Sequence, residues 1–106
     1  MSASIVYVTA SSREEALAIG RAVVSERLAA AANVVGAVRS IYWWEGQMSE
    51  DDEALLVLKT TEARLASLIE RIRDLHSYTT PAVTAWPITA ANPDYVAWIE
   101  AETTVD

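Results

Sequence analysis

The pattern of apolar and polar positions predicts a strand followed by a helix at the start of the chain. Residues Ile5–Ala10 form a short apolar and β-branched run, which is typical of a strand. Ser11 and Ser12 follow, and each stands three residues before a glutamate, which is the capping-box spacing of a helix start. Apolar residues then recur at helical spacing, and we expect this helix to run to about Leu28. They are Ala16, Ile19 and Val23.

The middle of the chain has the pattern of a β-hairpin. Asn33–Trp44 is rich in β-branched and aromatic residues, and a second extended stretch runs from about Asp52 to Lys59. Residues 45–47, of sequence Glu-Gly-Gln, are expected to form the turn between them. Residues 54–58 are apolar at every position, which favours a central strand that is covered on both faces.

A second long helix follows the hairpin. Thr60 or Thr61 can cap its start, and Pro81 lies beyond its end. The apolar positions of this segment have the spacing i, i+3, i+4, i+7 and i+10, which predicts a helix with one buried face. They are Leu65, Leu68, Ile69, Ile72 and Leu75.

The remaining elements complete a split βαβ arrangement. Val83–Trp86 fits a last strand, and Asn92–Pro93 has the cap and first-position pattern of a short carboxy-terminal helix. The order strand, helix, strand, strand, helix, strand predicts a ferredoxin-like α+β fold, with both long helices on one face of an antiparallel sheet. We expect residues 1–106 to form a single such domain.

The sheet face without helices is expected to be apolar and to require a cover. Together with the hairpin aromatics Tyr42, Trp43 and Trp44, it is more apolar surface than a monomer of this size usually exposes to water. We therefore expect the chain to associate with itself. Because Trp43 and Trp44 alternate across the strand, one ring should face the chain's own helices and the other a neighbouring subunit.

Composition and charge exclude several classes of partner and site. The chain has no cysteine, so disulfides and thiolate zinc sites are excluded. Its formal charge of −7 should repel a phosphate backbone, so we expect no nucleic-acid partner. No apolar stretch reaches the length of a membrane span, and the amino terminus lacks the pattern of a secretory signal. We expect a cytoplasmic protein without a membrane partner.

Several segments are together similar to the signature of the CutA divalent-ion-tolerance family. They cover nearly the whole chain in the order and spacing of the family, and the run SIYWWEG ahead of LKT and HxYxxP is specific. The segments are Glu26–Ala30, Asn33–Val35, Ser40–Gly46, Leu58–Thr60, His76 with Tyr78 and Pro81, Pro87–Ile88, and Asn92–Ile99.

This resemblance implies a tight homotrimer of ferredoxin-like subunits, similar in build to the PII signalling proteins. It also implies a link to tolerance of copper and other divalent ions. The chain departs from the family pattern at two positions. Ala31 stands where the family often has cysteine, and Ala82 stands where an acidic residue often follows Pro81. Both missing groups are potential metal ligands.

His76 is the first candidate for metal binding. It is the only histidine, and an imidazole at the end of the second helix can bind a divalent ion such as Cu²⁺. A lone histidine can equally interact with the carboxyl end of its helix. Because a selective site needs several ligands, we expect weak cation binding and no tightly bound cofactor.

The acidic run Glu50–Glu53 is a second candidate. Its carboxylates could gather hard cations, but it lacks the alternating ligands and the glycine of a calcium loop, so we expect most of the run to be solvated near the turn. Glu53 is the exception, because it lies nearest the buried strand.

Lys59 ends an apolar run, where its ammonium must reach water or meet a carboxylate or a ligand anion. In the fold that the resemblance implies, it lies near several aromatic residues and Glu53. Such a group would line a cleft between subunits that accepts a small anionic ligand. The aromatic residues are Tyr42, Trp44, Tyr78 and Tyr95.

Three functional hypotheses follow. The first is a trimeric binding protein with a signalling or homeostasis role, whose clefts between subunits accept a divalent cation or a small ligand. The second is an acylphosphatase-like hydrolase that uses Arg13 after the first strand, although the glycine and glutamine motif of that enzyme is absent. The third is a structural trimer that supports another component. Because no phosphate loop or nucleophile elbow is present, we expect a protein that is not an enzyme.

Overall fold

Helices and strands alternate along the chain in the order βαββαβα, as the sequence predicts. The computed structural model describes residues 3–104. The elements are β1 (Ala3–Ala10), α1 (Arg13–Ser25), β2 (Ala31–Trp44), β3 (Gln47–Thr61), α2 (Glu62–Leu75), β4 (Val83–Pro87) and α3 (Pro93–Thr103). Within residues 3–104, no helix combines the length and the apolar content that a membrane crossing needs.

The four strands form one sheet in the order β2-β3-β1-β4, and every neighbouring pair is antiparallel. The predicted ferredoxin-like α+β fold is therefore confirmed. The two central strands show why. Strand β1, and β3 from Glu53 onward, alternate between buried and half-buried positions, so one face carries the core and the other does not. The core face consists of Val6, Val8, Ala10, Ala54, Leu56 and Leu58, packed against Ala16, Ile19, Val23, Leu68 and Ile72 of the helices.

Helix α1 begins where the capping-box pattern predicts. The Ser12 hydroxyl accepts the Glu15 amide at 3.1 Å, so a free donor of the first turn is satisfied. The helix ends at Ser25, three residues before the predicted end at Leu28. Arg27 adopts a φ of 62°, and the Leu28 amide donates to the Val23 carbonyl, which closes the last turn and stops the helix.

The hairpin is longer than the sequence pattern indicates. Glu45 and Gly46 both have positive φ, of 50° and 78°, as a tight two-residue hairpin turn requires. Strand β3 therefore begins at Gln47 and not near Asp52, so the acidic residues 50–53 lie in the strand opposite residues 38–41. Three of the four residues, Glu50, Asp51 and Asp52, are exposed, as expected, but they belong to the strand and not to a segment beside the turn.

The hairpin tip extends beyond the helices, in a chain whose principal extents are 44 × 26 × 22 Å. The rings of Trp43 and Trp44 remain 76% and 52% exposed. Trp43 pairs with Met48. Both lie on the face of the sheet to which the core residues of β3 belong, but no helix reaches this part of the hairpin. The prediction that one of the two rings faces the chain's own helices is therefore wrong for the single chain.

The sheet face opposite α1 and α2 is apolar, as expected. It consists of the alternate side chains Ile5, Tyr7, Leu55 and Val57, which are half-buried, and Trp86, which is exposed. The Tyr7 and Trp86 rings lie 6.1 Å apart on neighbouring strands.

The carboxyl end of α3 is held by Arg64, whose Nε donates to the Thr103 carbonyl at 2.8 Å.

Candidate functional site

Four elements meet near the point where the hairpin leaves the sheet. Strand β1 ends there, α1 begins, α2 ends and β3 passes between them. We call this group the hairpin root, and it consists of Glu15, Glu53, His76, Ser77 and Tyr78. Two sets of hydrogen bonds meet there: Glu15 binds the Ser77 amide 62 positions away, and Tyr78 binds both His76 and Glu53.

Glu15 connects α1 to the segment after α2. One carboxylate oxygen accepts the Ser11 amide at 2.9 Å and the Ser11 hydroxyl at 2.8 Å, and the other accepts the Ser77 amide at 2.8 Å. Burial alone would raise the pKa of this carboxyl, but the hydrogen bonds from Ser11 and Ser77 outweigh it and lower the pKa from 4.5 to about 2. Glu15 is therefore an ionised acceptor at neutral pH.

His76 is buried, and both of its ring nitrogens are engaged. Nε2 lies 2.8 Å from the Thr9 carbonyl oxygen, and Nδ1 accepts the Tyr78 amide at 3.1 Å. The nearest carboxylate oxygen, Oε2 of Glu15, is 4.0 Å from Nδ1. A metal ion would have to displace one of these hydrogen bonds, so the geometry does not support our prediction that His76 is a metal ligand.

Tyr78 reaches from the end of α2 to β3. Its hydroxyl donates to Oε2 of Glu53 at 2.7 Å, and its ring centre lies 4.6 Å from that of His76. Burial and this hydrogen bond to a carboxylate both raise the pKa of the Tyr78 hydroxyl well above its ordinary value. Glu53 is the only residue of the acidic run that is half-buried, in agreement with its expected position nearest the core.

The other acidic residues of the run also have partners in the hairpin. Arg39 bridges Glu50 at 2.9 Å and Asp52 at 3.0 Å on one face. On the opposite face the Tyr42 hydroxyl donates to Asp51. This hydrogen bond raises the pKa of Tyr42, followed by desolvation and then by the charges of Asp51 and Glu53.

The structure brings together only part of the predicted cleft. Tyr42, Glu53 and Tyr78 lie within electrostatic reach of one another, and Trp44 follows Tyr42 on the same strand face. Lys59 lies six residues along β3 from Glu53, which is about 20 Å in an extended strand. There its Nζ donates to the Asn33 side-chain oxygen at 3.2 Å. Tyr95 stacks on Trp98 in α3, with ring centres 5.6 Å apart.

The donor atoms of one chain do not fit a tight metal site. Within residues 3–104, no group of three or more histidine and acidic side chains is close enough to hold one ion. The hairpin root provides carboxylate and phenol oxygens, which are hard ligands, and the only imidazole is already hydrogen-bonded. Ala31 and Ala82 contribute no ligand side chain.

Arg13 lies at the first position of α1 and is exposed. A Cβ placed on Gly36 would come 3.9 Å from the Arg13 Cδ, so the side chain extends beside the edge strand β2. Arg13 therefore lies on the surface of the chain, and this position does not support the acylphosphatase hypothesis.

Two members of this region were not singled out as site residues from the sequence. Glu15 was assigned only to the helix cap, and its capping-box position was the one signal that placed it near the end of β1. Asp51 was grouped with the solvated run. Its position opposite β2, the strand with the hairpin aromatics, was the signal that could have indicated its contact with Tyr42.

The fold and the hairpin are those of a known family. A family match covers residues 4–102 and is described as CutA1 divalent ion tolerance protein. The chain belongs to the CutA1 divalent ion tolerance family. The predicted resemblance is therefore confirmed, and the family is named for tolerance of divalent ions and not for a reaction.

Individual CutA proteins match over most of this chain. The divalent-cation tolerance protein CutA of Thermus thermophilus is 43% identical over 99 residues, which are 93% of this chain and 96% of that protein. Protein CutA 1, chloroplastic, of Oryza sativa is 39% identical over 93% of this chain but only 56% of its own length. The crystal structure of CutA1 from Oryza sativa has a TM-score of 0.95 at 37% identity, covering 100% of this chain and 97% of that one.

Proposed function

We propose that the protein is a homotrimer that takes part in divalent-cation tolerance and binds a divalent cation weakly at Asp51 and Glu53, beside the hairpin root and between subunits. The observation that carries this proposal is the hairpin itself. It combines exposed apolar side chains at its tip with a pair of carboxylates at its base. The first feature favours association and the second supplies ligands.

The exposed apolar surface supports association. Ile41, Trp43, Trp44 and Met48 are all more than half exposed at the tip, and Trp86 is 47% exposed on the sheet face without helices. Apolar surface of this extent is typical of protein interfaces. Three copies in closed symmetry, with their sheet faces inward, would cover both regions.

The carboxylates support cation binding. Asp51 and Glu53 stand two residues apart on one face of β3, and each accepts a tyrosine hydroxyl. Oxygen ligands suit hard and borderline divalent cations, but two carboxylates are too few for a selective site. A neighbouring subunit must therefore supply further donors, and the affinity for Cu²⁺ should be modest. Lys59 and Tyr95 do not join this pair within one chain. If a neighbouring copy contributes them, they can line the same cleft and leave room for a small anion.

Two measurements test this proposal. Sedimentation equilibrium at low micromolar concentration should give three times the chain mass, and a stable monomer or dimer contradicts the trimer. Calorimetry with Cu²⁺ should show affinity reduced tenfold or more in the double variant Asp51→Asn with Glu53→Gln. Asp52→Asn, on the opposite strand face, is the matched control. Equal affinity in the double variant and the control places any cation site elsewhere.

A binding role is favoured over the acylphosphatase alternative. The only side chain proposed for that chemistry, Arg13, is exposed at the start of α1. The family name describes tolerance of ions and gives no reaction. Hydrolysis of acetyl phosphate above the background rate, abolished by Arg13→Ala, would overturn this preference.

A further inference from the structure

The hydrogen-bond partners of His76 determine its protonation state. The Thr9 carbonyl can only accept a hydrogen bond, so Nε2, 2.8 Å away, must carry a hydrogen. The Tyr78 amide can only donate, so Nδ1, at 3.1 Å, must carry none. Together the two partners select one neutral tautomer of the imidazole.

The same imidazole restricts Tyr78. Its Nδ1 binds the Tyr78 amide, and its ring packs against the Tyr78 ring at a centre separation of 4.6 Å. The Tyr78 side chain then extends to β3, where its hydroxyl meets Glu53 at 2.7 Å. The ring of His76 is anchored on the other side to β1 through Thr9.

We infer that His76 is a positioning residue: a neutral imidazole, fixed as the Nε2–H tautomer, that joins β1 to the segment after α2 and holds the Tyr78 hydroxyl on Glu53. The lone histidine of this chain thus orients an oxygen donor of the hairpin root and binds no metal itself. The inference does not depend on the proposed function, because it concerns contacts within one subunit.

Neighbouring charge is compatible with a neutral ring. Glu15 faces Nδ1 from α1, but at 4.0 Å it is beyond hydrogen-bond distance. Its oxygens are already bound by the amide and hydroxyl of Ser11 and by the Ser77 amide. Nδ1 is therefore directed to the Tyr78 amide, and the ionised Glu15 carboxylate takes its hydrogen bonds from other donors.

The tautomer can be observed directly. Because the chain has a single histidine, its imidazole ¹⁵N signals need no assignment. At pH 8 we expect one protonated nitrogen, Nε2, and one unprotonated nitrogen, Nδ1, without averaging between tautomers. A ring protonated at Nδ1, or one that exchanges between tautomers, overturns the inference.

The positioning role is tested with substitutions that keep or remove the Nδ1 acceptor. In His76→Asn the side-chain oxygen can still accept the Tyr78 amide, as in an Asx turn, whereas His76→Ala removes the acceptor. The readout is the ζ-carbon NMR signal of Tyr78, assigned with Tyr78→Phe and compared with the signal in Glu53→Ala, which has no side-chain acceptor. We expect the His76→Ala variant to shift this signal to its position in Glu53→Ala and the His76→Asn variant to retain the wild-type position.

Controls separate this role from a general loss of structure. Ser77→Ala leaves the backbone donors of the segment in place and should keep the wild-type Tyr78 signal. A folded His76→Ala protein with that same signal contradicts the inference, and so does a His76→Asn variant that behaves like Glu53→Ala. If His76→Ala does not fold, the asparagine variant and the ¹⁵N signals decide the question.

Copper binding gives an independent result. The affinity for Cu²⁺ should be the same in the wild type and in His76→Asn, because the imidazole has no free lone pair. A tenfold loss of affinity in the folded asparagine variant would make His76 a ligand and overturn the inference. The proposed trimer and its cation site can fail without affecting either NMR result.

Discussion

Arg27 binds Glu102 across the chain from a backbone conformation that arginine rarely adopts. Its Nη1 lies 2.8 Å from Oε2 of Glu102, while its φ is 62°. This left-handed conformation costs about 1 kcal/mol or more for any residue with a Cβ, and glycine avoids the cost. An exposed ion pair contributes at most about 1 kcal/mol.

The two effects at Arg27 can be separated by two substitutions. Arg27→Ala loses the ion pair and keeps the strain, whereas Arg27→Gly loses the ion pair and relieves the strain. We expect the glycine variant to be more stable than the alanine variant by about 1 kcal/mol, measured by urea unfolding at one protein concentration. An alanine variant as stable as the glycine variant would show that the strain is absent in solution.

Removing the Tyr78 hydroxyl should destabilise the hairpin root. Tyr78→Phe leaves the half-buried Glu53 carboxylate without its donor, and hydrogen bonds to charged groups contribute about 1.5 to 3 kcal/mol. We expect a loss of about 2 kcal/mol in the free energy of unfolding. Tyr42→Phe is the matched control, because its partner Asp51 is exposed and regains water. Equal losses in the two variants would contradict the difference in burial.

Glu15 should make the stability depend on acidic pH. Its pKa is about 2 in the folded chain and is ordinarily 4.5, so its contribution is complete above pH 4.5 and is lost as the pH falls towards 2. Glu15→Gln should remove this component, so the variant should lose less stability than the wild type between pH 4.5 and 2. Urea unfolding across this range measures the difference, and parallel curves would contradict it.

The tryptophans of the hairpin tip should affect assembly more than folding. Both rings are largely exposed in one chain, so replacing either with alanine creates no cavity within the subunit. A ring that is buried against a neighbouring copy contributes about 2 kcal/mol or more to association. We expect Trp43→Ala or Trp44→Ala to shift sedimentation equilibrium towards smaller species. Arg73→Ala, on an exposed face of α2, is the control, and unchanged assembly in both tryptophan variants places the interface elsewhere.

Local patterns predicted the elements well, because their signals lie within a few residues. Ser12 caps α1 as its spacing indicates, and Leu68 and Ile72 of the apolar stripe are fully buried. The start of β3 was missed because acidic residues are uncommon in strands. There they are stabilised by cross-strand partners such as Arg39, which a local pattern does not show.

The candidate site was less predictable, because its contacts join distant segments. Tyr78 and Glu53 were both selected from the sequence, but their hydrogen bond spans 25 positions and depends on how α2 ends. The prediction for His76 rested on its chemistry alone. Its actual role follows from a carbonyl 67 positions away, which no spacing in the sequence indicates.

The direction in which the hairpin side chains point depends on a single extra residue. Between the pairs Val35–Leu55 and Val38–Glu53, strand β2 has two residues where β3 has only Ala54. Beyond this bulge, the even-numbered residues of β2 share a face with the odd-numbered residues of β3. Tyr42 therefore lies on the same strand face as Glu53. Regular pairing of the same residues without the bulge would shift β2 by one position along β3 and exchange the faces of Trp43 and Trp44. Deleting Gly36 or Ala37 removes only the extra residue, so the distal arm of the hairpin should keep its faces in a chain that is one residue shorter.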